Sequence, residues 1–443
     1  MKHEVAGETS QLDRPNRSRN GAALMGSVIV LGLLLGCSNP AESKEEGREI
    51  SATEAPVNKT NEPQPNANTV NQAKESRPNF TAKAIATFAE PWAMTALPKA
   101  ADGPAQLLVT QKTGELFIID TTMGKKTQIT GVPEVAYGGQ GGLGDIILAP
   151  DFETSQAVYL SYVEAGSNTN GSQDKGKFGA KVVKATLTGL DTESPSLQDL
   201  TPIWQQSPKM SGQGHFSHRL LFSPDGRYLY ISSGERQEKD PAQDMAMNLG
   251  KIVRLNPDGS IPKDNPFAQL QSNPDTQQIW SLGHRNVLGM RFDAKGNLWA
   301  HEMGPRGGDE LNLIVKGQNY GWPEVSNGRN YSGIPIPDHD TRPEFATPKV
   351  SWTPVISPSA LSIYQSSSQD DFPLWQDQAL ISGLSSKALI VVDLDSANNG
   401  TAVQELYRYE MGERIRSVLS VDGQVFLLED GSNARLLQLL PTT

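Results

Sequence analysis

The feature that most constrains this chain is a strand–turn–strand unit that recurs six times after residue 80. The clearest copies are LLFSPDGRYLYI (220–231), MRFDAKGNLW (290–299) and VLSVDGQVFL (418–427), and looser ones occupy 92–119, 146–160 and 361–392. In each, a short apolar run meets a turn rich in Asp or Gly and then a second apolar run. Alternation of this kind marks half-buried strands, and Asp-Gly supplies the positive φ that tight hairpins need. Further strand-like runs follow most copies, such as KIVRL (251–255) and ARLLQL (434–439), and no run of similar length keeps a helical period. Six evenly spaced units predict an all-β, six-bladed β-propeller with four-stranded blades. A pair of β-sandwiches would not require that spacing. Propellers bind ligands where loops from every blade converge, so functional residues should be scattered along the sequence.

The remainder of the chain is an address and a tether. Lys2, Arg14, Arg17 and Arg19 precede an apolar run, GAALMGSVIVLGLLLG (21–36), that ends at Cys37, the single cysteine. A basic segment followed by such a run reads as a secretion signal, shorter than a spanning helix requires. The segment 1–36 is therefore expected to be a signal peptide, and LLGC is similar to a bacterial lipobox, cleaved before a cysteine that is then lipidated. Ser38, in place of Asp, favours the outer membrane, with the protein facing the periplasm. Residues 37–79 are rich in Glu, Asn, Pro, Thr and Ser, cannot bury enough apolar surface to offset ordering, and are expected to form a flexible linker. The propeller is expected over 80–443. A net charge of −11 argues against nucleic acid as a partner, because binding phosphates requires clustered Lys and Arg. One cysteine also excludes an internal disulfide framework and a thiolate metal cage.

Several stretches break the strand pattern with polar residues. They are GGQGGL (138–143) with Gln140, GHFSHR (214–219) with His215 and His218, GHRN (283–286), EMGPRGGDELN (302–312), Lys387, and Arg414 with Arg416. Individually each has a bland reading: a structural histidine, a turn at Gly304-Pro305, a solvated pair of arginines. The Gly-rich loop lacks phosphate-binding spacing and a following helix, and no zinc-hydrolase or serine-esterase motif is present. Together the loops offer a general base, an amide, guanidiniums and exposed carbonyls, which suits an anionic planar cofactor and a hard cation held by oxygens.

The ordered phrases PWAMTALP (91–98), GGQGGLGDIILAPDF (138–152), GHFSHRLLFSPDG (214–226), LGKIVRLNPDGSIPKDNPF (249–267), IWSLGHRN (279–286), GPRGGDELNLI…NYGWP (304–323) and RIRSV (414–418) resemble the soluble PQQ-dependent aldose sugar dehydrogenases of the glucose/sorbosone dehydrogenase family. The resemblance implies oxidation of an aldose at C1 to a lactone, with PQQ and Ca²⁺ as cofactors and an unidentified acceptor, quinone or cytochrome, downstream. It implies His215 as general base, Glu235 as the acid that orients it, and Gln140, Arg285, Asn286, Lys387, Arg414 and Arg416 as PQQ contacts. The carbonyls of Gly304 and Pro305 would hold the calcium beside PQQ, Glu310 and Tyr320 a second, structural calcium, and Trp352 would face the sugar. Two departures stand out. His218 occupies a position where the family usually has Gly, and Lys387 lies about two positions out of ungapped register with the family's lysine. The competing readings are a non-catalytic lipid-anchored propeller, scaffold or glycan-binding, and a calcium-dependent lactonase, which would require axial carboxylates and Asn as ligands.

Overall fold

The computed structural model describes residues 77–442, apart from 100–104, 168, 170–171, 271, 367, 369–370 and 396–399. The signal peptide, Cys37 and the linker as far as residue 76 lie outside the described residues. The expected architecture is present: six antiparallel four-stranded sheets arranged as a six-bladed propeller. From the innermost strand outward, blade 1 comprises Pro91–Ala96, Gln106–Gln111, Leu116–Asp120 and Lys126–Ile129. Blade 2 comprises Leu143–Leu148, Ala157–Ala165, Phe178–Thr188 and Ser196–Gln205. Blade 3 is Ser217–Phe222, Leu229–Ser233, Lys251–Leu255 and Ile279–Leu282. Blade 4 is Val287–Phe292, Leu298–Glu302, Asp309–Ile314 and Val350–Trp352. Blade 5 is Pro358–Ile363, Ala379–Gly383, Ala388–Asp393 and Gln404–Glu410. In blade 6, Ile415–Val421, Gln424–Glu429 and Ala434–Thr442 are completed by the first strand of the sheet system, Asn79–Phe88. Each repeat seen in the sequence covers the inner hairpin of one blade, and the copies in blades 1 and 5 extend into the third strand.

The blade 6 arrangement closes the ring. Asn79–Phe88 pairs antiparallel with Ala434–Thr442 from Asn79↔Thr442 to Phe88↔Ala434, so the two ends of the described chain share one sheet. This pairing begins just before the expected boundary at residue 80, and the chain is already engaged there: the Tyr409 hydroxyl donates to the Pro78 carbonyl at 2.8 Å, and the Arg77 guanidinium stacks 4.0 Å from the Tyr409 ring. The innermost strands of successive blades touch around the whole circle, blade 6 against blade 1 included.

Period-two alternation explains the packing. Successive side chains on a strand point to opposite faces, and each face of a blade meets a neighbour. In blade 3, Leu220 and Ile231 pack with Tyr159 and Val182 of blade 2, while Tyr230 and Ile252 turn the other way onto Met290 and Leu298 of blade 4. Equivalent wedges lie between blades 1 and 2, 4 and 5, 5 and 6, and 6 and 1. Every innermost strand also shifts register near its start, between Pro91/Met94, Leu143/Ile146, Ser217/Leu220, Val287/Gly289, Pro358/Ala360 and Ile415/Ser417. Bulges bend a strand and re-aim its side chains. Here they do so at one end of all six, and the polar loops of the sequence enter the ring at that end.

His218 belongs to this scaffold. Its ring stacks on Trp92, 4.9 Å between centroids and 13° from parallel, and its Nδ1 shares a 2.8 Å hydrogen bond with the Ser161 hydroxyl. Burial, with smaller contributions from the Arg219 and Arg236 charges, pushes its pKa down to about 3. A folded pKa below the unfolded value of about 6.5 means that stability from this residue is complete above that value and is lost as pH falls from 6.5 toward 3. His218→Gln is therefore expected to lower the unfolding midpoint at pH 8. The gap from wild type should narrow below pH 6.5, because only the wild type then loses stability by protonating an unfolded His218. Thermal unfolding of both proteins between pH 8 and 5 checks this, and a gap that stays constant or widens with acid contradicts it.

Candidate active site

All six blades contribute to one cavity of about 250 Å³, through Trp92, Gln140, His218, Asn286, Ser357 and Arg416 among others. A wider cavity of about 1060 Å³ adjoins it, sharing Gln140, Met303 and Ser357, and is lined further by His215, Arg285, Gly304, Pro305, Asp309 and Tyr331. The functional residues scattered through the sequence thus meet in space.

His215 stands at the junction. It is 5% exposed, and its Nδ1 bonds the Glu235 carboxylate. Its backbone N–H donates to the Gln140 side-chain oxygen at 2.8 Å, and its Nε2 takes no partner among the described residues. The Glu235 carboxylate also accepts from the Lys239 backbone N–H at 2.5 Å, and the Glu235 N–H donates to the Arg285 carbonyl at 3.1 Å, which ties His215, Glu235 and the Arg285 loop together. The local backbone is strained: φ is +47° at His215, +59° at Ser217 and +53° at His218, a left-handed region that costs a non-glycine residue about 1 kcal/mol or more. Gly234 is needed to seat this turn, since a Cβ there would lie 2.0 Å from the His215 carbonyl oxygen.

Opposing influences set the charge of the dyad. Burial pushes the His215 pKa down, the bond to Glu235 pushes it up, the nearby Arg285 and Arg236 charges push it down again, and the net result lies below the ordinary histidine value. For Glu235 burial works upward, but the His215 hydrogen bond and charge outweigh it and hold the carboxyl below its usual range. At neutral pH the pair is a neutral imidazole oriented by a carboxylate, with the free ring nitrogen in a position to accept a proton.

The cationic side of the inner cavity is built by blade 6. Arg414 Nε donates to Asp430 at 2.7 Å, and Arg416 reaches the other oxygen of Asp430 through Nε at 2.9 Å and an amino group at 2.7 Å. Arg416 further donates to the Ser359 hydroxyl at 3.1 Å. Arg285 donates to the carbonyls of Met303 at 3.0 Å and Gly304 at 2.8 Å, and its buried Nε has no partner among the described residues. The Asn286 oxygen accepts from the Ser217 hydroxyl at 2.9 Å, which leaves its amide group turned toward Met303.

Asp309 shapes the carbonyl-bearing loop. One oxygen accepts from the Gly304 N–H at 2.8 Å, and the other accepts from Ile356 and Ser357 at 2.8 and 2.7 Å, which fastens the 304–309 loop to the entry of blade 5. Burial raises its pKa to about 6 despite these three backbone bonds. Among the described residues no three His, Cys, Asp or Glu side chains gather as a metal cage. Gly304 and Pro305 line the wide cavity together with Asp309, and the Gly304 carbonyl accepts from Arg285.

Three sequence expectations fall elsewhere. Lys387 is exposed and donates to the Gly412 carbonyl at 3.1 Å; it does not line either cavity. Trp352 is in the core between blades 4 and 5, its indole N–H bonded to Glu405 at 2.8 Å; the strand that carries it pairs Trp352 with Asp309 and turns the ring away from the cavity. Glu310 and Tyr320 line one slot of about 10 Å³, but both are occupied by protein partners. Glu310 bonds His339 at 3.1 Å and Asn312 at 3.1 Å, and the Tyr320 hydroxyl donates to the Leu313 carbonyl at 2.6 Å. The sequence reading missed Asp309, Ser357, Trp92 and Lys112 as members of the site. Asp309 carried the one available signal, an acidic residue directly after two glycines.

Comparison with known proteins agrees with this geometry. The glucose/sorbosone dehydrogenase family matches residues 88–438. Aldose sugar dehydrogenase of Escherichia coli is 39% identical over 357 residues, 79% of this chain and 90% of that protein. Its crystal structure in the apo form superposes with a TM-score of 0.72 and 36% identity, covering 82% of this chain and 100% of that one. The PQQ-bound aldose sugar dehydrogenase of Streptomyces coelicolor superposes with a TM-score of 0.63 and 27% identity, covering 83% and 100%.

The three bonds to Asp309 generate an expectation for the loop. Asp309→Ala leaves the N–H groups of Gly304, Ile356 and Ser357 without their acceptor and should lower the unfolding free energy by about 3 kcal/mol. Asp309→Asn, which keeps one acceptor oxygen, should cost less. Urea unfolding of both variants reads the difference, and a wild-type midpoint for Asp309→Ala contradicts the role given to this carboxylate.

Proposed function

Since this chain belongs to the glucose/sorbosone dehydrogenase family, we propose that it oxidises aldose sugars at C1 to lactones, with PQQ and calcium as cofactors and His215 as the general base. The observation that carries this reading is the buried His215–Glu235 pair opening onto a cavity rimmed by guanidiniums. The residues present suit both cofactors. PQQ is a planar polycarboxylate, and Arg414, Arg416 and the unpartnered Nε of Arg285 offer planar cationic donors to such a group. Calcium prefers neutral and anionic oxygens, which the Gly304 and Pro305 carbonyls supply. When bound, PQQ would supply a two-electron acceptor for the hydride of C1, and calcium a Lewis acid that makes it a better one.

The chain's own residues supply positioning and proton transfer. His215 Nε2 takes the proton of the anomeric hydroxyl, and the Glu235 carboxylate stabilises the imidazolium that forms while holding the ring through Nδ1. Gln140 fixes the backbone beneath the base. A scaffold would gain nothing from keeping a strained, buried dyad in an open cavity.

The test is reconstitution. Purified protein should show dye-linked oxidation of aldoses when PQQ and calcium are added, and lose it in excess chelator. In the reconstituted protein His215→Gln should lower turnover by about 10²–10⁴-fold, the usual contribution of a general base. In wild type kcat/KM should rise through an apparent pKa below 6.5 to a plateau, because the base must be neutral and burial holds its pKa down. Glu235→Gln should move that limb to lower pH, since Glu235 pulls the His215 pKa upward. A limb that stays in place in Glu235→Gln would count against the dyad.

We also propose that acyl chains on Cys37 hold the protein at the outer membrane, facing the periplasm, where electrons pass to a quinone or cytochrome. The LLGC sequence behind a basic, apolar leader supports this, and each buried methylene contributes about 0.8 kcal/mol to such an anchor. Cys37→Ser should release active protein into the soluble fraction. Palmitate labelling that survives the substitution would end the lipid-anchor reading.

A further inference from the structure

The cavity contains a cation that the sequence reading did not assign. Lys112 follows the second strand of blade 1 and lines the inner cavity together with Arg414 and Arg416. Its side chain is 17% exposed. The ammonium donates to the Gly139 carbonyl at 3.1 Å and to the Glu90 carboxylate at 3.2 Å. An ammonium has three N–H donors, so one remains for a ligand.

The backbone of Lys112 is held from both sides. Its N–H donates to the Glu90 carbonyl at 3.0 Å and its carbonyl accepts from Leu143 at 2.9 Å. Gly142, with φ +136°, lies so close that a Cβ would sit 2.1 Å from that carbonyl oxygen. The Gly-rich loop of blade 2 thus closes over Lys112 and supplies the carbonyl that orients its ammonium. Glu90 is itself shared: the Tyr137 hydroxyl donates to it at 2.8 Å, a bond that contributes most to holding its carboxyl below the usual range.

The charges around the cavity leave a surplus of positive sign. Lys112, Arg414 and Arg416 face Glu90 and Asp430, and Asp430 is divided between the two arginines. The terminal nitrogens of Arg414 make no bond to the described residues. A ligand carrying several carboxylates fits this arrangement, and Lys387, on the solvent side at Gly412, does not take part in it.

We propose that Lys112 is the third cationic anchor for the carboxylates of PQQ, filling from blade 1 the role that the sequence gave to Lys387 in blade 5. This rests on the PQQ reading above. The test is a binding titration, independent of turnover: PQQ is added to the calcium-saturated full chain, and affinity is read from quenching of tryptophan fluorescence. Lys112→Gln should weaken binding about tenfold, the effect of losing one charge-assisted hydrogen bond, and Lys112→Arg should restore most of it. Lys387→Gln should stay within about twofold of wild type, a change of less than 0.5 kcal/mol. Removing Lys112 also exposes the ligand to Glu90, so the decisive comparison is Glu90→Gln against the double variant Glu90→Gln/Lys112→Gln. Equal affinity of those two proteins means that Lys112 only screens Glu90 and overturns the proposal. So does a loss in Lys387→Gln without one in Lys112→Gln. Absence of saturable PQQ binding by wild type removes the PQQ reading itself and this inference with it, an outcome distinct from the other two.

Discussion

The guanidinium of Arg219 is the point at which the ring is held together. It belongs to the innermost strand of blade 3 and reaches four other blades: it donates to the Leu288 carbonyl of blade 4 at 2.7 Å, to the Ser359 carbonyl of blade 5 at 2.7 Å and to Asp145 of blade 2 at 3.3 Å. Its flat face lies 3.9 Å from the Trp92 ring of blade 1. Blade 6 joins at one remove, because Arg416 donates to the hydroxyl of the same Ser359. Only arginine offers rigid, divergent donors and a stacking face at once. Burial draws its pKa down to about 10, still far above neutrality, so a full positive charge stays on the axis. That charge is costly to bury, and its partners offset the cost only if all are in place. The inner ends of the blades therefore have one arrangement that satisfies it.

This plug also borders the active site. The 250 Å³ cavity is lined by Trp92, on which Arg219 stacks, and by His218 and Leu288, while Arg219 itself lines a separate space of about 30 Å³ with Asp145, Met290 and Ser417. Arg219, His218 and His215 are neighbours on one short stretch, so the residue that ties the blades together and the residue proposed to accept the proton are placed by a single strand entry. The positive φ values at His215, Ser217 and His218 are the local cost of bringing three such different roles into five residues.

What could be read from the sequence follows from which interactions are local. The blades were legible because a hairpin writes its own signal: alternating apolar residues around Asp-Gly, as at 220–231. The dyad was legible by resemblance, since His215 and Glu235 lie within the same blade's loops. Asn79–Phe88 gave no such signal. Its first residue, Asn79, reads as the end of a polar linker, and its partner, Ala434–Thr442, lies more than 340 residues further along the chain. Lys387 and Trp352 failed for a related reason. Neither lies within a family phrase: Trp352 ends a strand, where a shift of one residue reverses the face, and Lys387 lies in the turn between Ala379–Gly383 and Ala388–Asp393. Lys112 was invisible for the complementary reason. It is one lysine after an ordinary strand, and only the approach of Gly142 from the next blade makes it part of the site.

Spreading the site over six blades ties binding to closure of the ring. Gln140 comes from the entry to blade 2, His215 from that of blade 3, Arg285 and Asn286 from that of blade 4, and Arg414 and Arg416 from blade 6. Blade 6 is the seam, because its outer strand is the first among the described residues and its other three are the last. Arg416 lies on the innermost strand of that blade and Arg414 just before it, so the seam blade also carries one wall of the cavity. A ligand that grips these arginines and the opposite wall together binds the closed ring, and binding to one state alone stabilises that state in proportion to occupancy. The fold and the site thus share a boundary condition: the strand 79–88 completes the blade from which Arg414 and Arg416 reach the cavity.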